Sequence, residues 1–444
     1  MIFLVTLKRG ATLLVFRFKR SEFGGGGAMF SGLFSRTMLR TIPVLMIALS
    51  GHAQAQAQNR PSVRLDATFA PQAGTVAVST EVRPGPVVGN ENVVLILANS
   101  LVFQHASAGR GATVTISPTN NPFPGLQQVV VHFPRPVAEP VIRLRYAGRP
   151  LSGGSPPINM ITPELVELSL DSMWLPIKPD LSMRFTVDAR LSGLSRNTVV
   201  AAQGVVSRTE NGFRVRRSVP EVDFAFVASP RLQRLSVAEF ELFTRDPQSD
   251  IARIYRDHGP RALSFLENWF GRMPGSPARI AVVQRERDSG YARTGFIVLT
   301  EGAEANPIGR AKFVAHEFAH SWFRNASSVG EHRWLDESFA EYVSLRYVEH
   351  ALGSAARETL LAPKRAAAET ARPVFGSDRS DRELYSKGPL LLIALEERIG
   401  RQRMDRLVAL VAERHIGMTG DFLAALAVVA DPSTVSWFDR QLKS

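Results

Sequence analysis

The sequence predicts an α+β protein: an all-β N-terminal part followed by an α+β part that ends in helices. Two observations carry this prediction. From about residue 60 to 247, short runs of alternating apolar and polar residues are broken by Gly, Pro and Asn. From about residue 248, apolar residues recur mostly at helical spacing. The length of 444 residues suffices for two or three domains.

The first segment, residues 1–57, is expected to direct export. After Met38, a basic residue precedes a short apolar run, and small residues at 53–57 offer a cleavage site. This order is typical of a secretory signal peptide, and the apolar run is too short to span a membrane. We predict an upstream extension and signal peptide with Met38 as the start, and an exported product, periplasmic or secreted. A genuine cytoplasmic extension at 1–37 is the alternative.

The second segment, residues 58–247, is predicted to form antiparallel sheets in a saddle or sandwich. Runs such as TVAVSTEV, ATVTIS and QQVVVHF repeat with period two, so one face of each strand would be buried. The polar stretch TRDPQSD, which contains a proline, places the end of this domain near residue 248.

The third segment, residues 248–444, begins with a helical run, IARIYRDHGPRALSFLENWFG, and two strand-like runs, ARIAVVQRE and GFIVLTE. The remainder reads as helices. Their predicted bounds are 308–324, 333–350, 354–371, 384–399, 402–415 and 419–429.

Composition narrows the possible chemistry. The chain has no cysteine, so any metal must be held by His, Asp or Glu. The formal charge is +12, but seven basic residues and one acid before residue 58 contribute half of it, which leaves +6. This remainder is dispersed without a dense Lys/Arg block, so nucleic-acid binding is not predicted.

The stretch KFVAHEFAHSWF carries the main site prediction. His316 and His320 are four residues apart and would lie on one face of a helix, where two imidazoles can bind one zinc ion. Glu317 would reach a metal-bound water without being a ligand, which suits a general base. The alternative is a helix whose histidines are solvated or satisfied within the core.

A catalytic zinc needs a third protein ligand. Glu337, in RWLDESFAEYVS, follows His320 after sixteen intervening residues, and an antiparallel second helix could bring it to the metal. His332 is the competing ligand. Asp336 and Glu341 could orient a ligating imidazole or belong to a solvated acidic helix face.

VAHEFAHSWFRN followed by WLDESFAEY resembles the aminopeptidase N type of zinc metallopeptidase, a gluzincin. The segment ELYSKGPLLLIALEERIG resembles that family's Y-x-K-G element, and LRYAG and LSLDSMWLPIKPD resemble parts of its β saddle. The resemblance implies a thermolysin-like catalytic domain, a peptide substrate and one zinc ion per chain. It also implies that His316, His320 and Glu337 bind the zinc and that Glu317 is the base.

Tyr385 matches the family tyrosine that donates a hydrogen bond to the oxyanion of the tetrahedral intermediate. The alternative is a tyrosine that serves only in packing.

Two departures limit the resemblance. The spacing between His320 and Glu337 is shorter than is usual in the family. In addition, the exopeptidase pattern G-x-M-E-N is absent, and SGYARTGF places Arg293 and Thr294 where an acid and an amide are expected. That acid anchors the substrate's amino group in the family, so aminopeptidase specificity does not follow. We predict an exported zinc-dependent peptidase; the alternatives are an endopeptidase and a non-catalytic zinc-bearing envelope binding module.

Overall fold

The computed structural model forms two compact units, Met1–Gln58 and Asn59–Ser444. In the first, Leu4–Thr6 and Thr12–Leu14 pair as antiparallel strands. The predicted signal peptide and the start at Met38 lie outside the described residues. The structure describes residues 4–6, 12–14, 60–109, 111–119, 125–237, 239–273, 277–286, 290–302, 306–326, 330–376 and 380–444.

The β-rich part of the second unit is built on alternating strands. Ser62–Ala70, for example, buries every second residue, as its sequence pattern predicts. In chain order, its strands are β1 (Ser62–Ala70), β2 (Thr75–Arg83), β3 (Glu91–Ala98), β4 (Leu101–Ser107), β5 (Thr113–Pro118), β6 (Leu126–Phe133), β7 (Ile142–Gly148), β8 (Met160–Ile161), β9 (Val166–Leu168), β10 (Phe185–Ser192), β11 (Val199–Ala202), β12 (Val205–Thr209), β13 (Gly212–Glu221) and β14 (Phe226–Ser229).

These strands form three sheets in the described part of the chain. A seven-stranded sheet has the order β12-β13-β10-β1-β2-β7-β4, a three-stranded sheet the order β3-β6-β5, and a four-stranded sheet the order β8-β9-β14-β11. Pairing is antiparallel as predicted, except that β10 runs parallel to β1. The core between the sheets includes Trp174, Phe224 and Phe226, whose ring centroids lie 5.8 to 6.0 Å apart.

The C-terminal α+β part contains a five-stranded sheet, which begins at Gln233, before the boundary predicted near residue 248. It contains β15 (Gln233–Val237), β16 (Phe240–Thr244), β17 (Ala278–Val283), β18 (Gly290–Arg293) and β19 (Phe296–Thr300), in the order β15-β16-β17-β19-β18. The two strands predicted from the sequence are β17 and β19. The edge strand β18 pairs antiparallel with β19.

Helices make up most of the remaining chain. The described helices are α1 (Asp250–Phe270), α2 (Pro307–Ala319), α3 (Trp334–Leu352), α4 (Ser354–Ala368), α5 (Gly388–Ile399), α6 (Arg401–Glu413), α7 (Thr419–Val429) and α8 (Pro432–Leu442). A π-helical turn, Arg382–Lys387, leads into α5.

Helix α2 is shorter than predicted, because the amides of residues 321 to 323 bond back to Phe318 and Ala319 in tight turns. The sequence pattern also missed α8. No helix in the described ranges is long and apolar enough to cross a membrane. The predicted fold class, a β-rich part followed by an α+β part ending in helices, is confirmed.

Candidate metal centre and its cleft

Helix α2 begins at a conventional cap: the Asn306 side chain accepts the Ile308 amide and Pro307 occupies the first turn. His316 and Glu317 lie in the last turn of α2 and are 4% and 8% exposed. His320 immediately follows the helix and keeps a right-handed helical conformation. The four-residue spacing therefore still places both imidazoles on one side, with ring centroids 4.9 Å apart.

Glu337, in the first turn of α3, faces the two histidines. Its Oε2 lies 3.6 Å from His316 Nε2 and 3.5 Å from His320 Nε2. One ligand atom from each of the three residues lies within 4.8 Å of the other two. Two ligands of a tetrahedral zinc ion are about 3.3 Å apart, so the three side chains fit zinc with a position left open.

Glu341, one helical turn after Glu337, is fully buried. Its Oε2 lies 2.8 Å from His316 Nδ1, although without the alignment of a good hydrogen bond. Burial opposes its charge, but Lys312, His316 and Lys364 together hold the pKa of the Glu341 carboxyl well below its usual value. Glu341 thus occupies one nitrogen of His316 and leaves the other directed at Glu337, which is how an orienting carboxylate acts.

The other candidates take different places. The Asp336 carboxylate accepts the amides of Asn325 and Ala326 at 3.0 and 3.2 Å, so it holds the loop after α2. His320 Nδ1 lies 3.1 Å from the carbonyl of Phe323. His332 Nδ1 lies 3.0 Å from Thr419 Oγ1 and is outside the three-residue metal group.

One cleft of about 590 Å³ is lined by His316, His320, Glu317, Glu337 and Tyr385. The Tyr385 ring centroid is 5.8 Å from that of His316. Burial and the neighbouring Glu337 raise the pKa of the Tyr385 phenol above its ordinary value. Its hydroxyl therefore stays protonated and can donate a hydrogen bond into the cleft.

The π-helical turn that carries Tyr385 is docked closely onto α3. Ser338 Oγ donates to the Leu384 carbonyl at 2.8 Å. A side chain at Gly388 would place its Cβ 2.0 Å from Ser338 Oγ, so only glycine allows this approach. The glycine of YSKG thus has a packing reason.

The same cleft is also lined by Arg293, one of the two residues that depart from the family pattern, and by Arg324. Arg293, at the end of the edge strand β18, donates from Nε to Asp223 Oδ2 at 2.9 Å. Thr294 bonds to Glu221. Arg324 donates to both oxygens of Glu221, at 3.2 and 2.9 Å.

Sequence reasoning missed Glu221 and Asp223, which are 2% and 3% exposed. Two acids in the apolar stretch VPEVDFAF were the available signal, because buried acids require partners. That signal does not say where in the chain the partners lie.

A known protein family matches the helical part of the chain. Residues 303–441 match the Peptidase family M1 domain. No curated protein sequence matches significantly. The match to the M1 domain confirms the resemblance to aminopeptidase N-type enzymes.

Solved structures resemble most of the fold. An M1 zinc metallopeptidase from Deinococcus radiodurans has 18% sequence identity and a TM-score of 0.65, covering 87% of this chain and 93% of its own. A mutant of that protein bound to a Tyr-Ser-Ala substrate has 18% identity and a TM-score of 0.66 over 87% and 94% of the two chains. Native yeast LTA4 hydrolase has 15% identity and a TM-score of 0.68 over 85% of this chain and 66% of its own.

Proposed function

We propose that this chain, whose residues 303–441 match the Peptidase family M1 domain, is an exported zinc-dependent peptidase that binds one zinc ion per chain through His316, His320 and Glu337. The observation that supports this most strongly is the convergence of two imidazoles and one carboxylate at 3.5 to 3.6 Å. The export part of the proposal rests on the segment after Met38.

A zinc ion held by His316, His320 and Glu337 would supply a Lewis acid for the scissile carbonyl and would lower the pKa of a water molecule. Glu317 then accepts a proton from the attacking water and passes it to the leaving amine. Tyr385 donates its hydroxyl proton in a hydrogen bond to the developing oxyanion. Glu341 holds His316 in the orientation that directs Nε2 towards Glu337.

The absence of the family's G-x-M-E-N pattern supports a departure from simple aminopeptidase action. Arg293 and Thr294 stand where the family places groups for a free amine, and Arg293 is paired with Asp223. Internal cleavage, or an exopeptidase with another amine anchor, is the second candidate. The non-catalytic binding module is less well supported, because a purely structural zinc site requires neither Glu317 nor Tyr385.

The proposal is tested by Glu317→Gln in protein produced from residue 58. We expect the variant to keep its zinc, because Glu317 is not a ligand, and to lose peptide hydrolysis by about 10²- to 10⁴-fold, the usual contribution of acid–base catalysis. Zinc content by elemental analysis and hydrolysis of a peptide mixture by mass spectrometry measure the two properties.

The pattern of products separates the candidates. Stepwise loss of N-terminal residues supports trimming, internal fragments support endopeptidase action, and an intact mixture with bound zinc supports the binding module. Loss of zinc in the Glu317→Gln protein would contradict the assignment of the base.

A further inference from the structure

Two lysines from different helices meet at the buried carboxylate of Glu341. Lys312, on α2, places Nζ 2.9 and 3.1 Å from the two carboxylate oxygens. Lys364, on α4, places Nζ 2.5 Å from Oε1. Both lysine side chains are largely buried, at 15% and 14% exposed. Glu341 is thus held between two ammonium groups and His316.

Of the two lysines, Lys364 also forms a hydrogen bond with the turn that carries Tyr385. Its Nζ donates to the main-chain carbonyl of Tyr385 at 2.8 Å. The carbonyl belongs to a π-helical turn, a conformation that often occurs at functional sites. An ammonium has three donors, so one group can hold both acceptors at once.

We propose that Lys364 is a positioning residue that ties the orientation of His316, through Glu341, to the position of Tyr385. Its one ammonium bonds Glu341 and the Tyr385 carbonyl, and Glu341 in turn contacts His316 Nδ1. The metal-binding imidazole and the oxyanion-binding phenol are thereby fixed relative to each other from α4. The inference rests on the proposed peptidase function.

Loss of the Lys364 contacts should lower the rate, because catalysis depends on precise positions of the reacting groups. Without Lys364, Glu341 still contacts Lys312, whereas the Tyr385 carbonyl loses this bond. A displacement of about 1 Å at a reacting group can cost about 10²-fold in rate. The main effect should therefore fall on the turnover step that uses Tyr385, with a smaller effect on zinc binding.

The two lysines supply a matched pair of variants. We expect Lys364→Met to lower kcat by about 10- to 100-fold with little change in KM, the range typical of partners that orient metal ligands. In a Tyr385→Phe background the same substitution should lower kcat by about 3-fold at most, since the hydroxyl that it positions is absent. Lys312 contacts Glu341 but not the turn. Lys312→Met should therefore lower kcat by the same factor in both backgrounds.

Zinc affinity gives a readout that does not depend on turnover. Competition with a chelator should show similar, several-fold losses for Lys364→Met and Lys312→Met, because each removes one partner of Glu341. Lys364→Gln is a second variant in case the methionine variant does not fold, and thermal unfolding of each protein checks this.

Multiplicative effects of Lys364→Met and Tyr385→Phe on kcat would overturn the coupling. So would wild-type turnover in either Lys364 variant. These outcomes differ from failure of the proposed function, in which the unsubstituted protein would lack zinc, lack hydrolysis, or keep full activity after Glu317→Gln.

Discussion

The cleft has two walls that are built in different ways. The metal wall consists of His316 in α2, His320 directly after α2 and Glu337 in α3, which are close together in the sequence. The arginine wall consists of Arg293 and Arg324, which line the cleft, together with the residues that bond to them, Thr294, Glu221 and Asp223. Its ion pairs join residues 70 and 103 positions apart in the chain.

This difference explains which parts of the site could be predicted. The period of an α-helix places residues four apart on one face, so His316 and His320 could be placed together without knowledge of the fold. Glu337 needed one further step, a helix packed against the first. The pairing of Arg293 with Asp223 has no periodic signal, because it depends on how the β-rich part meets the edge strand β18.

The same contrast holds along the backbone. Strand alternation and helix spacing predicted most elements of the second unit, since both patterns are local. The early end of α2 and the π-helical turn before α5 could not be predicted. The former ends in local turns and is followed by a loop that Asp336 holds from α3. The latter rests on Ser338 against Leu384 and on the space left by Gly388.

The largest expected effect separates the metal wall from its surroundings. Glu337→Ala removes one of three proposed zinc ligands and should weaken zinc binding by about 10³-fold, a modest share of the binding free energy of a zinc site. Chelator competition followed by elemental analysis measures this.

Asp336→Asn is the matched control, since Asp336 is the adjacent acid and holds the loop after α2 but lies outside the three-residue metal group. We expect its zinc affinity to change by no more than a few-fold. Equal losses in the two variants would mean that the metal wall does not have the ligands proposed.

A smaller effect is expected from the arginine wall, and on stability instead of zinc. Arg324→Met removes the two-point partner of the buried Glu221 and leaves it Thr294 and Arg184. Losing hydrogen bonds to a charged group costs up to about 3 kcal/mol. Urea unfolding should show this loss, while zinc affinity stays close to that of the unsubstituted protein.

The double variant Arg324→Met/Glu221→Gln should regain part of the lost stability, because it also removes the buried charge that has lost its two-point partner. If Arg324→Met weakened zinc binding as much as Glu337→Ala does, the two walls would not be separable units.

Two buried carboxylates, one in the helical part of the chain and one in the β-rich part, should contribute to stability with opposite dependence on pH. Glu383 precedes Tyr385 in the π-helical turn; burial acts to raise the pKa of its carboxyl, but hydrogen bonds from Ser380 and Arg372 outweigh it and lower the pKa from 4.5 to about 2. Glu167, in the β-rich part, is buried against Arg285 at 2.7 Å, and burial raises the pKa of its carboxyl to about 7.

The smallest effect follows from these shifts. Because Glu383 is ionised more readily in the folded chain, its contribution to stability is present above pH 4.5 and is lost as pH falls towards 2. Glu167 has the reverse effect, since the folded chain retains its proton between pH 4.5 and 7 and loses stability as pH rises through that window.

Glu383→Gln should therefore cost about 2 kcal/mol at neutral pH, the scale of hydrogen bonds to a charged group. That difference from the unsubstituted protein should shrink as pH falls from 4.5 to 2, whereas the Glu167 contribution cancels because both proteins contain it. Urea unfolding across this pH range measures the difference, and a gap that stays constant to pH 2 would show that Glu383 is not charged and hydrogen-bonded as the structure has it.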